Sequence, residues 1–373
     1  AGTANIRNAT FTNNTAVTGD GGAIYANNAV TVTSSTFGGE NAGNKADKNG
    51  GAIYANNAVT VTSSSMTHNT AITGSGGAVY ANGTVQVTSS TMTDNTANIN
   101  GGAIYTTANI TIDGATNTFT NNTAETGDGG AIYTTGAATV TNATFTTNTA
   151  EQGDGGAIYA NGLVTLESST FVENKAVDGG AVYSTGNVTN KAKFIGNEAT
   201  GKGGAIYNTG DMTVTYTLFD ANKANQGAGV YVDNGTAFIQ FATFTGNEAT
   251  GEGGAIYGND TTLTLENDTL HGNTASHGAG IYVTGTTNRT NIIDTTITAN
   301  IATTDGGAIY AAADNTVLQI LNSLVYANYV DLNANDIATE AGKATDARIA
   351  YSIYSAIDGN TTLNVNNKQA LQR

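Results

Sequence analysis

Residues 101–134 read GGAIYTTANITIDGATNTFTNNTAETGDGGAIYT, and the cycle in this stretch decides the fold. It opens on Gly101-Gly102-Ala103-Ile104-Tyr105 and passes through the alternating run Ile110-Thr111-Ile112. It then reaches Phe119, with Asn122 three positions later, and returns to Gly129-Gly130-Ala131-Ile132-Tyr133. The tyrosine of this motif recurs as Tyr25, Tyr54, Tyr80, Tyr105, Tyr133, Tyr159, Tyr183, Tyr207, Tyr231, Tyr257, Tyr282 and Tyr310, twelve copies spaced 24 to 29 residues apart. Two copies read Gly-Ala-Gly instead, at Gly227-Ala228-Gly229 and Gly278-Ala279-Gly280. The second motif, an apolar residue with Asn three positions on, alternates with the first from Phe11/Asn14 to Ile297/Asn300. The copy at Phe37 departs, with Glu40 in the Asn position and Asn41 one later.

A fixed period near 25 residues is the mark of a solenoid. Leucine is sparse, which excludes leucine-rich repeats, and no apolar spacing of three and four persists far enough for helical repeats. What remains is short runs rich in Val, Thr, Tyr and Ile, punctuated by Gly and Asn, which read as strands and turns. Three strands and three turns per period make one coil. The expected fold is therefore all-β, a right-handed single-stranded parallel β-helix (solenoid) of about 12–13 coils. The chain contains no proline, which suits strands paired on both edges. Residues 1–328 are expected to form this repeat. Leu324-Val325-Tyr326-Ala327-Asn328 is its last echo, and 329–373 reads as a divergent C-terminal coil or the start of a following segment.

Coils of a β-helix lie about 4.8 Å apart, so a residue type repeated in every copy forms a ladder of itself. Stacked Asn amides then hydrogen-bond to one another, and paired glycines supply φ > 0 or close backbone approach. In Ala-Ile-Tyr the side chains alternate. We expect Ile inward and Tyr outward; the other register, which buries Tyr, stays open at this stage.

The balance of charge narrows the function. Charged residues are 11% of the chain and the net charge is −16. The 13 basic residues form no stripe, which disfavours nucleic acid and anionic membranes. Without cysteine there are neither disulfides nor thiolate metal sites. No apolar run reaches the ~18 residues of a membrane-spanning helix. No charged segment followed by an apolar one opens the chain, so Ala1 does not read as the start of a secretory precursor.

The alternation of Gly-Gly-Ala-Ile (Gly22 is the second glycine of the first copy) with Phe-x-x-Asn (Phe11 to Asn14) resembles the polymorphic outer membrane proteins of chlamydiae and the passenger domains of autotransporter adhesins. The resemblance covers roughly residues 5–328. It implies an outward-displayed β-helix, repeat motifs implicated in host-cell adhesion, and no catalytic residues.

Candidate sites are few. Arg7, Arg289, Arg348 and Arg373 neighbour no carboxylate cluster in sequence, and His68, His271 and His277 have no Ser or Cys partner pattern. The residue before the Gly-Gly pair is Asp in three consecutive copies, Asp128, Asp154 and Asp178. Carboxylates at coil spacing are hard ligands for Ca²⁺, or else a solvated acidic turn. No other cofactor is implied. The twelve tyrosines listed above would form an outward stripe of flat amphipathic rings, the candidate binding face. The expected function is a non-enzymatic, extracellular, surface-displayed rod, an adhesin passenger at a bacterial outer membrane. Its partners would be a host or neighbouring cell-surface protein or a neutral glycan, and not nucleic acid. The alternatives are a structural subunit of a surface filament or layer, joined by end-to-end self-association, and a carbohydrate-active β-helix enzyme.

Overall fold

The computed structural model describes residues 3–286, 288–313, 316–340, 345–354 and 356. Among them there are strands and turns and no helix. The chain forms two compact units, Ala1–Gly186 and Asn187–Arg373. Each is a stack of parallel β-solenoid coils, about 13 turns in all.

Most coils have four short strands, and those with Val164–Val172 and Val188–Ile195 have the expected three. In one four-strand coil of the first unit they are Val85–Thr88, Thr91–Thr93, Thr96–Ala97 and Ile104–Thr106. The first two share a sheet, and the others belong to two further sheets. The extra break is a bend at Ser89, whose φ is +48°. These strands pair in parallel with their counterparts one coil on, with Val85 opposite Ile110, Met92 opposite Phe119, Ala97 opposite Ala124 and Ile104 opposite Ile132. The second unit repeats the scheme, with Val214 opposite Ile239, Phe219 opposite Phe244 and Ile256 opposite Ile281. Within that unit, Ile337–Thr339, Thr345–Ala350 and Ile353–Tyr354 still pair with the preceding coil. A small antiparallel hairpin, Tyr329–Val330 with Asn333–Ala334, interrupts the parallel order before them. The remainder of the tail, residues 357–373, lies outside the described residues.

The pleat turns every second side chain inward, and the inward set is Val, Ile, Phe, Met and Ala. Phe119, Phe145 and Phe171 are fully buried in the first unit, as are Phe219 and Phe244 in the second. Consecutive rings stack, at 4.7 Å for Phe119 and Phe145. Phe11 and Ile24, expected in the core, are only half-buried. They pair on one side with Phe37 and Ile53 of the next coil.

The asparagine of Phe-x-x-Asn forms a fully buried ladder. Asn122 Nδ2 donates to Asn148 Oδ1 at 2.9 Å, and its backbone N–H donates to the same oxygen at 3.0 Å. Its Nδ2 also donates to the carbonyl of Met92 at 3.0 Å. Each amide thus satisfies the turn below and the turn above, at a place where an unpaired polar group would cost about 1–3 kcal/mol. In the irregular copy the ladder residue is neither Glu40 nor Asn41. The segment after Phe37 bulges outward, and Asn44 takes the place, accepting from Asn14 Nδ2 at 2.7 Å and donating to Asn69 at 2.9 Å. In the second unit the ladder ends on a carboxylate: Asp336 Oδ1 accepts from Asn328 Nδ2 at 2.9 Å, and Oδ2 accepts from Ala356 N–H at 3.1 Å.

The two glycines do different work. Gly101 adopts φ +66°, a left-handed turn conformation. A Cβ on Gly102 would lie 2.0 Å from the carbonyl oxygen of Gly130, so the second glycine permits the close approach of consecutive coils.

Candidate functional site

With the interior filled by ladders, the chemistry of the molecule lies on its outward columns. In Ile132–Thr134 the burial pattern places Ile132 and Thr134 inside and Tyr133 outside. This settles the register in favour of Ile inward. The tyrosines do not, however, form an open stripe of ring faces. In the first unit consecutive rings from Tyr25 to Tyr183 stack with centroids 4.6 to 5.1 Å apart and planes within 4 to 11°. Stacking turns each face against the next ring, so edges and hydroxyls meet solvent. Tyr25 alone among the column residues is largely exposed, at 55%.

In the second unit most of the column is covered, with Tyr282 half-buried. Tyr207, Tyr231, Tyr257 and Tyr310 are 4 to 9% exposed. Larger neighbours account for this: Lys202 Nζ sits 4.9 Å from the Tyr231 ring centroid, Tyr207 Oη donates to Asp233, and His277 packs against Tyr310. The expectation of a twelve-ring binding face is thereby corrected to a half-buried edge in the first unit. Burial also pushes the phenols upward, Tyr80 to about 12 and Tyr159 and Tyr257 further, so these hydroxyls stay protonated at neutral pH.

Asp128, Asp154 and Asp178 do come together in one column, and their carboxylates act along it. Asp128 Oδ1 accepts the N–H of Asp154 at 3.0 Å, and Asp154 Oδ1 accepts the N–H of Asp178 at 3.1 Å. Below them Asn100 Oδ1 accepts from Asp128, Ser75 Oγ from Asn100, and Asn49 Oδ1 from Ser75. This is a second ladder, which in the first unit satisfies the backbone N–H just before the Gly-Gly turns from Asn49 to Asp178, and Asn or Ser serves in it as well as Asp. Burial, reinforced by the charge of Asp178, raises Asp154 to about 6, and burial raises Asp128 as well. Among the described residues no three His, Asp or Glu side chains are grouped so as to hold a metal ion.

The histidines stay apart. His271 is exposed, and His277 Nδ1 lies 3.2 Å from Ser276 Oγ. His68 Nε2 lies 3.4 Å from Asp94 Oδ2 at the rim of a cleft that also includes Asn41 and Lys45.

Two features escaped the sequence reading. Tyr216 and Phe241, in consecutive coils of the second unit, are 69% and 42% exposed and stack with centroids 4.9 Å apart. Both hold φ near +50°, at 51° and 53°, where other coils place Ser34, Ser63, Asn142 or Asn267. A bulky residue in this conformation costs roughly 1–2 kcal/mol, so the pair is held in place against a local preference. The second feature is Asp268, 2% exposed, in a column otherwise filled by residues such as Thr217, Thr295 and Ser323. Its Oδ1 accepts from Ala242 N–H at 2.7 Å and its Oδ2 from Glu266 N–H at 2.9 Å. The available signal was the column itself, an acid between Ala242 and Thr295 where most coils carry Ser or Thr.

Eight segments match the model of the Chlamydia polymorphic membrane protein repeat: residues 8–27, 42–56, 89–107, 118–135, 142–161, 192–209, 242–259 and 294–312. Each segment carries a ladder asparagine, a glycine turn and an Ile-Tyr strand, so the shared unit is the half-coil that carries the asparagine ladder and the glycine turn. No curated protein and no solved structure gives a significant match.

Proposed function

From a chain that carries eight polymorphic membrane protein repeats on a β-solenoid, we propose a non-enzymatic, surface-displayed passenger that acts as an adhesin. The observation that carries this reading is the repeat itself: its name places related proteins at a membrane, and its fixed residues here build the coil and no reaction centre. The same repeat supports display at a bacterial outer surface. A stack of similar coils offers many weak contacts to one partner surface, and linked weak contacts combine into avidity. The partner would be a cell-surface protein or a neutral glycan, since the net charge of −16 repels anionic polymers.

The exposed pair Tyr216 and Phe241 replaces the full tyrosine column as the leading contact group. Rigid aromatic rings offer apolar area at low conformational cost. The test is binding of labelled protein to cells, comparing the parent with Tyr216→Asn/Phe241→Ser. These substitutions place in the column the residue types that other coils carry there, so the fold should hold. Cell binding should fall at least tenfold, with little dependence on salt. Unchanged binding would remove this pair from the contact, and no binding by the parent would remove the adhesin reading.

A further inference from the structure

The strand that carries the core phenylalanine presents its two flanking residues outward. In the first unit these strands include Ser65–Thr67, Thr91–Thr93, Asn117–Thr120 and Ala143–Thr146. They pair without a shift: Thr91 lies opposite Thr118 and Thr118 opposite Thr144, while Thr93 lies opposite Thr120 and Thr120 opposite Thr146. The result is two parallel rows rich in threonine; the row through Thr93 is threonine from Thr67 to Thr146, with Gly38 before it and Val172 after it. The row through Thr91 runs from Thr10 to Thr170 as Thr or Ser in all seven coils of the unit, and neither row contains a charged residue.

Strand propensity does not explain this uniformity. The same two positions in the second unit carry Lys193, Leu218, Asp220, His271, Leu324 and Tyr326, on strands that pair equally well. The fold therefore tolerates charged and aromatic groups there, and the first unit holds neither in a molecule of net charge −16, with Val172 the one aliphatic side chain among its paired positions.

The grid has two spacings. Between coils the rings beneath it repeat at 4.7 and 4.8 Å. Along a strand, threonines two residues apart stand about 6.6 Å from each other. Each presents a hydroxyl, donor and acceptor at once, beside a methyl group. Branching at Cβ restricts the rotamer, and Thr118 Oγ1 donates to Thr91 Oγ1 at 3.2 Å, so the hydroxyls are partly ordered before any ligand arrives. A ligand for such a surface is uncharged, periodic in two directions and made of hydroxyl-like oxygens. Sugar-ring faces are matched by aromatic rings, and these rows hold none. Water in a crystal lattice meets every requirement, and the two spacings lie close to the oxygen repeats on a prism face of hexagonal ice.

We infer that the threonine rows of the first unit bind ice. This stands independently of the adhesin reading and adds a second surface, in another unit from Tyr216 and Phe241. The experiment uses the whole chain. Thermal hysteresis is measured and labelled protein is followed into a growing ice hemisphere, for the parent, for Thr93→Lys/Thr120→Lys/Thr146→Lys, and for the control Thr298→Lys in the second unit. The parent and the control should shape ice and enter it. The triple variant should lose at least tenfold of the hysteresis with an unchanged circular dichroism spectrum. No ice shaping by the parent, or equal activity in the triple variant, would overturn the inference. Binding of the parent to microcrystalline cellulose, lost in the triple variant and without ice binding, would overturn it in favour of a crystalline polysaccharide.

Discussion

Replacing Asp268 by serine should reverse its effect on stability between acid and alkaline pH. Burial drives the carboxyl from its ordinary value of 3.8 up to about 7, the neighbouring charge of Glu266 adds to this, and the N–H bonds from Ala242 and Glu266 oppose it. A folded-state value above the unfolded one means that the native chain holds the proton more tightly. The stabilisation is therefore complete below pH ~4 and is lost as pH rises through ~7. A shift of about three units corresponds to about 4 kcal/mol between the two limits. Serine would accept the Ala242 N–H and donate back to its own strand, as Ser323 does to the carbonyl of Leu321 at 2.7 Å. It would not reach the Glu266 N–H, a loss of about 1 kcal/mol. The variant should thus be less stable than the parent by about 1 kcal/mol at pH 3 and more stable by about 3 kcal/mol at pH 8. Urea denaturation monitored by circular dichroism at both pH values reads the difference. A variant that is less stable at both, with the parent's pH slope intact, would refute the argument.

Other residues give further outcomes. Asn148→Ala leaves the backbone N–H of Asn122 without its acceptor, removes one of the two bonds from Asn122 Nδ2 and the bond to the Phe119 carbonyl, and should cost about 3 kcal/mol in thermal or urea unfolding. Thr147, a β-branched residue at φ +52°, sits in a column where Asn13 and Asn121 adopt the same conformation. Thr147→Asn should stabilise by about 1 kcal/mol in the same assay. For the Asp128, Asp154 and Asp178 column, whose oxygens cap backbone N–H groups, neither millimolar Ca²⁺ nor a chelator should move the melting temperature. A Ca²⁺-dependent rise lost in Asp154→Asn would instead make the column a cation site.

The repeating part of the molecule was legible because each ladder needs one residue type in every coil. The sequence therefore announced Asn122, Asn148 and the glycine pairs, while the alternation in Ala-Ile-Tyr left two registers open until the burial of Ile132 and Thr134 decided between them. What lay outside that logic was harder to read. Asn44 was missed because a bulge after Phe37 changes the spacing while leaving the ladder intact. The exposure of the tyrosines depends on residues from other columns, such as Lys202 and His277, which no single repeat displays. Asp268 and the pair Tyr216 and Phe241 are departures from columns that become visible only when the register is known. The threonine rows looked like ordinary strand filler until the second unit showed that the same positions accept other side chains.

The central claim is display on a cell exterior. Antibody labelling of intact cells that express the parent gene tests it most directly, alongside labelling after permeabilisation. The account predicts full labelling of intact cells and removal of the signal by added protease. Labelling that appears only after permeabilisation would contradict it.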